Sequence, residues 1–253
     1  MCIISLAWQA HPDWKLIAIG NRDEMHGRLA TPLARWQNPD HLLAGRDVQA
    51  GGTWLGVSEQ GRFAVVTNLS GYGTADSDRA SRGDLLKDFL SGEGRCSNLD
   101  TVPFSAFNPF NLITIANNEA RIHSNRPDRI SRPLEPGIHG LSNGPLNKPW
   151  QKAKHLNIAL EKWLQSQSED PAVLLNALTD KSPFSLTDNS APGASTRLEP
   201  ENSGIFIQHP VYGTRCSTIV AIDQYGNGSI LERRYAPSSR VIGEACLSFA
   251  WPS

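Results

Sequence analysis

Neither a long apolar run nor an excess of one charge sign marks this sequence. Lys and Arg number 24 against 25 Asp and Glu, for a formal net charge of −1. No basic run stands apart, so there is no electrostatic case for nucleic acid or an anionic membrane as partner. No stretch reaches the length of a membrane span. The apolar opening from Met1 to Trp8 lacks a cationic leader, and Trp14 and Lys15 break the apolar character soon after it, so no secretory signal is expected. Cys2 stands where N-myristoylation requires glycine, which excludes that anchor. Cysteine is scarce: Cys2, Cys96, Cys216 and Cys246 form no C-x-x-C pair, no haem-attachment motif and no zinc spacing. No metal site is expected, and the four read as reduced thiols of a soluble, cytoplasmic protein.

What the chain does have is Cys2 directly behind Met1. Removal of one residue would leave a thiol and an α-amine on the same residue, with ordinary pKa values of about 8.5 and about 7.7–8.0, a compact nucleophile and base near neutral pH. A Cys in this place also suits a buried strand, since free Cys is among the most buried residue types. The rest of the chain has to distinguish the two.

With 253 residues and no segment that reads as a linker, the chain is expected to be one domain over 1–253. Cys2 to Trp8 and Lys15 to Gly20 are apolar runs around a Pro-containing turn, predicting a β-hairpin that ends in Asn21-Arg22-Asp23-Glu24. Strand alternation puts Arg22 and Glu24 on one face and Asn21 and Asp23 on the other. An antiparallel partner would bring one of these faces beside Cys2, where Arg22 would lower the thiol pKa and a carboxylate would fix the guanidinium. Met25 to Gly52 reads as irregular chain that covers something. The Gly51-Gly52-Thr53-Trp54 stretch allows close backbone approach before a strand, and Asn68 ends the strand that returns. Asn68 and Asn143, each at a strand end, are turn formers or amide donors to an oxyanion. Helical spacing appears over Gly83 to Leu90, Trp150 to Leu164 and Pro171 to Leu178. Lys181 to Gly204 reads as a mobile loop or lid. Arg215 opens a strand with a buried centre, so its charge needs a carboxylate, a ligand or solvent.

Taken together, Met1-Cys2-Ile3-Ile4, Asn21-Arg22-Asp23-Glu24, Gly51-Gly52-Thr53-Trp54-Leu55-Gly56, Gly140-Leu141-Ser142-Asn143, Pro149-Trp150 and Tyr212-Gly213-Thr214-Arg215 resemble the ordered motifs of the NRDE family, which includes the Transport and Golgi organisation protein 2 group. The resemblance implies an α+β fold of the N-terminal-nucleophile hydrolase type, a four-layer αββα sandwich of two antiparallel sheets flanked by helices. Among the choloylglycine-hydrolase-like relatives of that fold an N-terminal Cys attacks an amide. Carried over by position, the catalytic roles fall on Cys2, Arg22, Asp23, Asn143 and Arg215, with Asn21, Glu24, Trp54 and Asn68 as binding residues. Those hydrolases carry their carboxylate three residues after the Arg, where this chain has Met25.

Two functions are expected from this resemblance. One is cleavage of a non-peptide amide or thioester of a small apolar acyl substrate by Cys2, without a cofactor. The other is a non-catalytic carrier in which the same pocket holds an apolar or anionic small molecule, with haem or a lipid as cargo, as the family's association with haem trafficking and lipid homeostasis implies. The sequence assigns no haem ligand and no oligomeric state.

Overall fold

The computed structural model describes residues 2–166, 168–183 and 203–252. Met1 and most of the segment read as a loop or lid lie outside the described residues. In chain order the elements are β1 (Cys2–Trp8), β2 (Trp14–Met25), β3 (Ala30–Arg35), β4 (Leu42–Asp47), β5 (Leu55–Ser58), β6 (Arg62–Asn68), helix α1 (Arg82–Ser91), β7 (Phe110–Ala116), β8 (Glu119–Ser124), β9 (Ile130–Pro133), β10 (Gly137–Leu141), helix α2 (Gln151–Leu164), the short helix α3 (Leu175–Leu178), β11 (Tyr212–Asp223), β12 (Asn227–Tyr235) and β13 (Val241–Ala250). They build two antiparallel sheets, one ordered β10-β1-β2-β11-β12-β13 and the other β3-β4-β5-β6-β7-β8-β9.

Three apolar clusters define the layers. Ile4, Leu6, Leu16 and Ala18 of the first sheet meet Leu43, Val57, Phe63, Val65 and Ile113 of the second, filling the space between them. On the outer face of the first sheet, Ile3, Ile17 and Ile19 pack against Leu156, Leu160 and Trp163 of α2 and Leu175 and Leu178 of α3. On the outer face of the second, Leu42, Ala64 and Leu112 pack against Leu85, Leu86 and Leu90 of α1. The result is the four-layer αββα sandwich that the resemblance implied, assembled by period-2 alternation in the strands and apolar stripes on the helices.

Two expectations change. Apolar residues suggested that the second strand stops at Gly20, but β2 continues through the polar quartet to Met25, because β11 pairs with it from Tyr212↔Met25 to Asp223↔Trp14. The quartet is therefore strand interior. The supposedly irregular chain from Met25 to Gly52 contains β3 and β4, whose alternation is masked by Pro32 and by a register shift between Thr31 and Ala34.

Helix α1 is fixed at both ends. Ser81 caps it by accepting a hydrogen bond from the Gly83 N–H at 3.2 Å, and Gly92 ends it in the left-handed region at φ 77°. Its first turn is drawn close by glycine: a Cβ on Gly52 would lie 2.5 Å from the Gly83 carbonyl carbon. That contact brings the helix start to the same end of the sandwich as Cys2.

Candidate active site

Cys2 is the first described residue of β1, a strand flanked by β10 and β2. Pairing across the sheet sets Cys2 opposite Arg22, Arg22 opposite Cys216, and Cys216 opposite Arg234. Directly paired residues point to the same face. This row of alternating thiols and guanidiniums forms part of the wall of a cleft of about 760 Å³, which Glu24, Trp54, Asn68 and Arg215 also line.

Arg22 is held from the other sheet. Its Nη2 lies 3.0 Å from Oδ2 of Asp47, the last residue of β4, and the same oxygen accepts from Arg28 Nε at 2.7 Å. The other carboxylate oxygen accepts the Ala50 N–H at 2.9 Å. Burial works against the Asp47 charge, but Arg28, the Ala50 N–H and Arg22 outweigh it and keep the carboxyl below its usual range. Asp47 was missed in the sequence because it falls in the stretch that reads as irregular.

Asn143 faces Cys2 in an orientation that its neighbours dictate. Its Oδ1 accepts the backbone N–H of Cys2 at 3.1 Å, and its Nδ2 donates to the Asn68 carbonyl at 2.7 Å. The segment around it is tied to the second sheet by Thr67 Oγ1 donating to the Ser142 carbonyl and Asn111 Nδ2 donating to the Gly144 carbonyl. Asn143 thus presents an acceptor, not a donor, to the Cys2 nitrogen. Asn68 itself lines the cleft.

The alternation expected for the quartet is the one observed. Arg22 and Glu24 turn toward the cleft, whereas Asn21 donates to the carbonyls of Leu178 and Ile205 and accepts from Ser217 Oγ, on the helix side of the sheet. Asn21 does not line the cleft, and its fully buried amide ties β2 and β11 to the chain around α3. Asp23 borders the cleft but sends its carboxylate to Thr214 Oγ1 at 2.7 Å. Arg215 sits in the register shift between Thr214 and Cys216, a bulge that re-aims its side chain, and its Nη1 is 3.0 Å from Nδ1 of His26.

The electrostatics correct one expectation. Burial is the largest effect and the Asp23 charge adds to it, so the thiol pKa is raised, not lowered, although the terminal amine, Arg22 and the backbone N–H of Asp23 all favour the thiolate. Burial also pushes up Asp23 and the Cys216 thiol. Glu232, nearly buried in the same wall and accepting the Leu33 N–H at 2.8 Å, is pushed up as well.

Sequence reasoning also passed over Lys152, although a signal was present. Lys152 lies four residues before Leu156 and eight before Leu160, on the buried stripe of α2, and is fully buried. Among the described residues no group of three or more His, Cys, Asp or Glu side chains is arranged to hold a metal ion. Nor is any helix among them long and apolar enough to cross a membrane.

The αββα layers, with Cys2 opening an interior strand onto a cleft at the end of the sandwich, define a four-layer α+β fold of two antiparallel sheets between helices. The Transport and Golgi organisation 2 family model matches residues 1–237, and the chain belongs to that family. Its relatives include the human Transport and Golgi organization protein 2 homolog, 30% identical over 260 residues that cover 92% of each chain. The Transport and Golgi organization protein 2 of Drosophila melanogaster is 26% identical over 261 residues, covering 92% of this chain and 91% of that protein. Among solved structures, a Caenorhabditis elegans N-acylethanolamine-hydrolyzing acid amidase ortholog matches with a TM-score of 0.49 and 11% identity, over 85% of this chain and 91% of that one.

Proposed function

We propose that, once Met1 is removed, the protein acts as a cytoplasmic N-terminal cysteine hydrolase on the amide or thioester of a small acyl compound. The observation that carries this reading is the pairing at Cys2: its thiol opens on the cleft opposite Arg22, and its nitrogen is held by Asn143 Oδ1 at 3.1 Å. In the processed chain that nitrogen is the α-amine, and Asn143 directs it.

In the reaction the amine takes the Cys2 proton while sulfur bonds to the carbonyl carbon. The tetrahedral oxyanion collapses, the carbon–nitrogen or carbon–sulfur bond breaks, and the ammonium returns its proton to the leaving group. Water, deprotonated by the same amine, then attacks the acyl-enzyme, the bond from the carbonyl carbon to the Cys2 sulfur breaks, the ammonium returns its proton to that sulfur, and the acid is freed. With the Asn143 amide committed to the Asn68 carbonyl, the oxyanion donor in this reading is the amide of Asn68, a residue of the cleft wall. The raised thiol pKa suits a mechanism in which Cys2 passes its proton as it attacks, not one that starts from a standing thiolate. Arg79, Arg82, Arg215 and Arg234 along the lining favour a substrate with an anionic group.

Intact-mass measurement of protein purified from cells, followed by an acyl thioester probe, tests the reading. The expected result is loss of Met1 and an acyl adduct on Cys2 that Cys2→Ser abolishes. Retention of Met1, or equal labelling of the Cys2→Ser variant, overturns it.

The arginines gathered along the same cleft also favour a second reading, a carrier that binds an anionic molecule without turnover. Among the described residues no histidine lines the cleft, so haem held there would need Cys2 or Cys216 to give up the proton that burial favours and act as a thiolate donor, with the arginines for its carboxylates. Titration with hemin, followed by its absorption band and by competition, supports this reading if binding saturates and Cys2→Ser shifts the band. Unsaturable binding removes it.

A further inference from the structure

The ammonium of Lys152 is an unusual thing to bury. Among the described residues Lys152 is one of the largest fully buried side chains, and an apolar residue there would not carry the cost of desolvating a charge. Its Nζ lies 3.0 Å from Ser203 Oγ and 5.3 Å from the ring centroid of Trp150. A hydroxyl and an aromatic face solvate a cation but do not neutralise it. The opposing charge acting on it most strongly is Asp23, and Cys2 comes next.

The connection runs through a short stretch of chain. Ser203 is followed by Ile205, whose carbonyl accepts from Asn21, and by Ile207, whose N–H donates to Thr214 Oγ1 at 2.9 Å. Thr214 in turn donates to Asp23. Lys152 and Asp23 therefore flank the same segment on the helix side of β2, while Cys2 lies on the other side of the sheet, toward the cleft. Asp23 reaches that side through its backbone N–H and its charge, the first favouring and the second opposing a thiolate at Cys2.

We propose that Lys152 is a positioning residue: as counter-charge to Asp23 behind the Cys2 terminus, it offsets the carboxylate and sets the pH at which Cys2 becomes reactive. Lys152 does not line the cleft and is not a catalytic residue. The inference rests on the proposed hydrolase function only in placing the chemistry at Cys2. Other charged or titratable groups also act on this centre: the terminal amine, which acts on both Cys2 and Asp23, Arg22 on β2, Arg82 on α1, and Cys216 and Tyr212 on β11, with Glu24 acting on Tyr212. They remain in place when Lys152 or Asp23 is replaced, so the comparison isolates the Lys152–Asp23 pair.

The test is the pH dependence of iodoacetamide alkylation at Cys2, followed by peptide mass spectrometry with Cys96 as internal comparator, in wild type, Lys152→Met, Asp23→Asn and the double variant. Lys152→Met removes the largest of the charges that offset Asp23, so the Cys2 profile should move to higher pH, with alkylation near neutrality slowed about tenfold. The double variant, which removes both charges, should return toward wild type. A folded Lys152→Met protein with an unchanged profile overturns the proposal, and so does a double variant shifted as far as the single. Should Lys152→Met fail to fold, the double variant decides: a folded protein with a near-wild-type profile supports the pairing, and a second failure to fold makes Lys152 a packing element only. Because alkylation needs no substrate, this result is independent of whether the protein turns anything over.

Discussion

Arg22 on the first sheet and Asp47 on the second meet at 3.0 Å, with the side chains only 9% and 13% exposed. Asp47 thus fixes from across the cleft the guanidinium that stands opposite Cys2, and it also holds Arg28. One carboxylate keeps two arginines in the wall of the cleft in place.

Asp47→Ala should therefore destabilise the fold by about 3 kcal/mol, the range for removing one partner of a buried pair, as read from urea denaturation. It should also leave Arg22 without its anchor, so that any anion that saturates the wild-type cleft binds more weakly. An unchanged denaturation midpoint would show that the two arginines do not depend on this carboxylate.

Asn143 makes two bonds of different kinds, and its variants separate them. Asn143→Ala orphans the Cys2 N–H and the Asn68 carbonyl, at a cost of about 2–4 kcal/mol. Asn143→Asp keeps an acceptor for Cys2 but turns an oxygen toward the Asn68 carbonyl. Its denaturation midpoint should fall below wild type, while Cys2 labelling by an acyl probe should be kept better than in Asn143→Ala.

Gly52→Ala places a methyl 2.5 Å from the Gly83 backbone, so the start of α1 has to move. The expected loss is about 1–3 kcal/mol, measured by thermal or chemical denaturation. Gly27, where nothing lies within 4 Å of an added Cβ, serves as the comparison, and Gly27→Ala should have little effect.

His123 gives the fold a pH dependence away from the cleft. It is buried, 3.0 Å from Thr114 Oγ1 and edge-on to Phe104, and burial pushes its pKa down to about 4. The unfolded chain takes up this proton near about 6.5, so between those values the unfolded state binds more protons. The stability that neutral His123 contributes is complete above about pH 6.5 and declines as pH falls toward 4, by on the order of 3 kcal/mol in total. Urea curves across this window should show that slope, and His123→Phe should remove this part of it.

The legible parts of the protein were those that local pattern governs. Apolar runs around a Pro-containing turn located the opening hairpin, and strand alternation put Arg22 and Glu24 on one face and Asn21 and Asp23 on the other, as the hydrogen bonds of β2 have it. Helical spacing found α1 and α2, and the ordered motifs led to the family. Asp47 was hidden because Pro32 and a shifted register break the alternation of its neighbourhood. Lys152 was hidden because a single charge on an apolar stripe reads as the helix edge until its depth is known.

By itself the sequence determined which side chains leave water, since strand alternation and helical stripes decide that, and its ordered motifs implied the four layers; it placed the thiol, guanidinium, amide and carboxylate groups at strand ends, whereas Arg22 and Asp23 lie within β2. Only the tertiary structure decided which of these groups meet. Asp47 reaches Arg22 from another sheet, Asn143 turns its oxygen to the Cys2 nitrogen because the Asn68 carbonyl takes its donor, and burial of Cys2 outweighs the cation opposite it. Contacts between residues so far apart in the chain, and the water they exclude, depend on how the sheets pack, which no local pattern encodes.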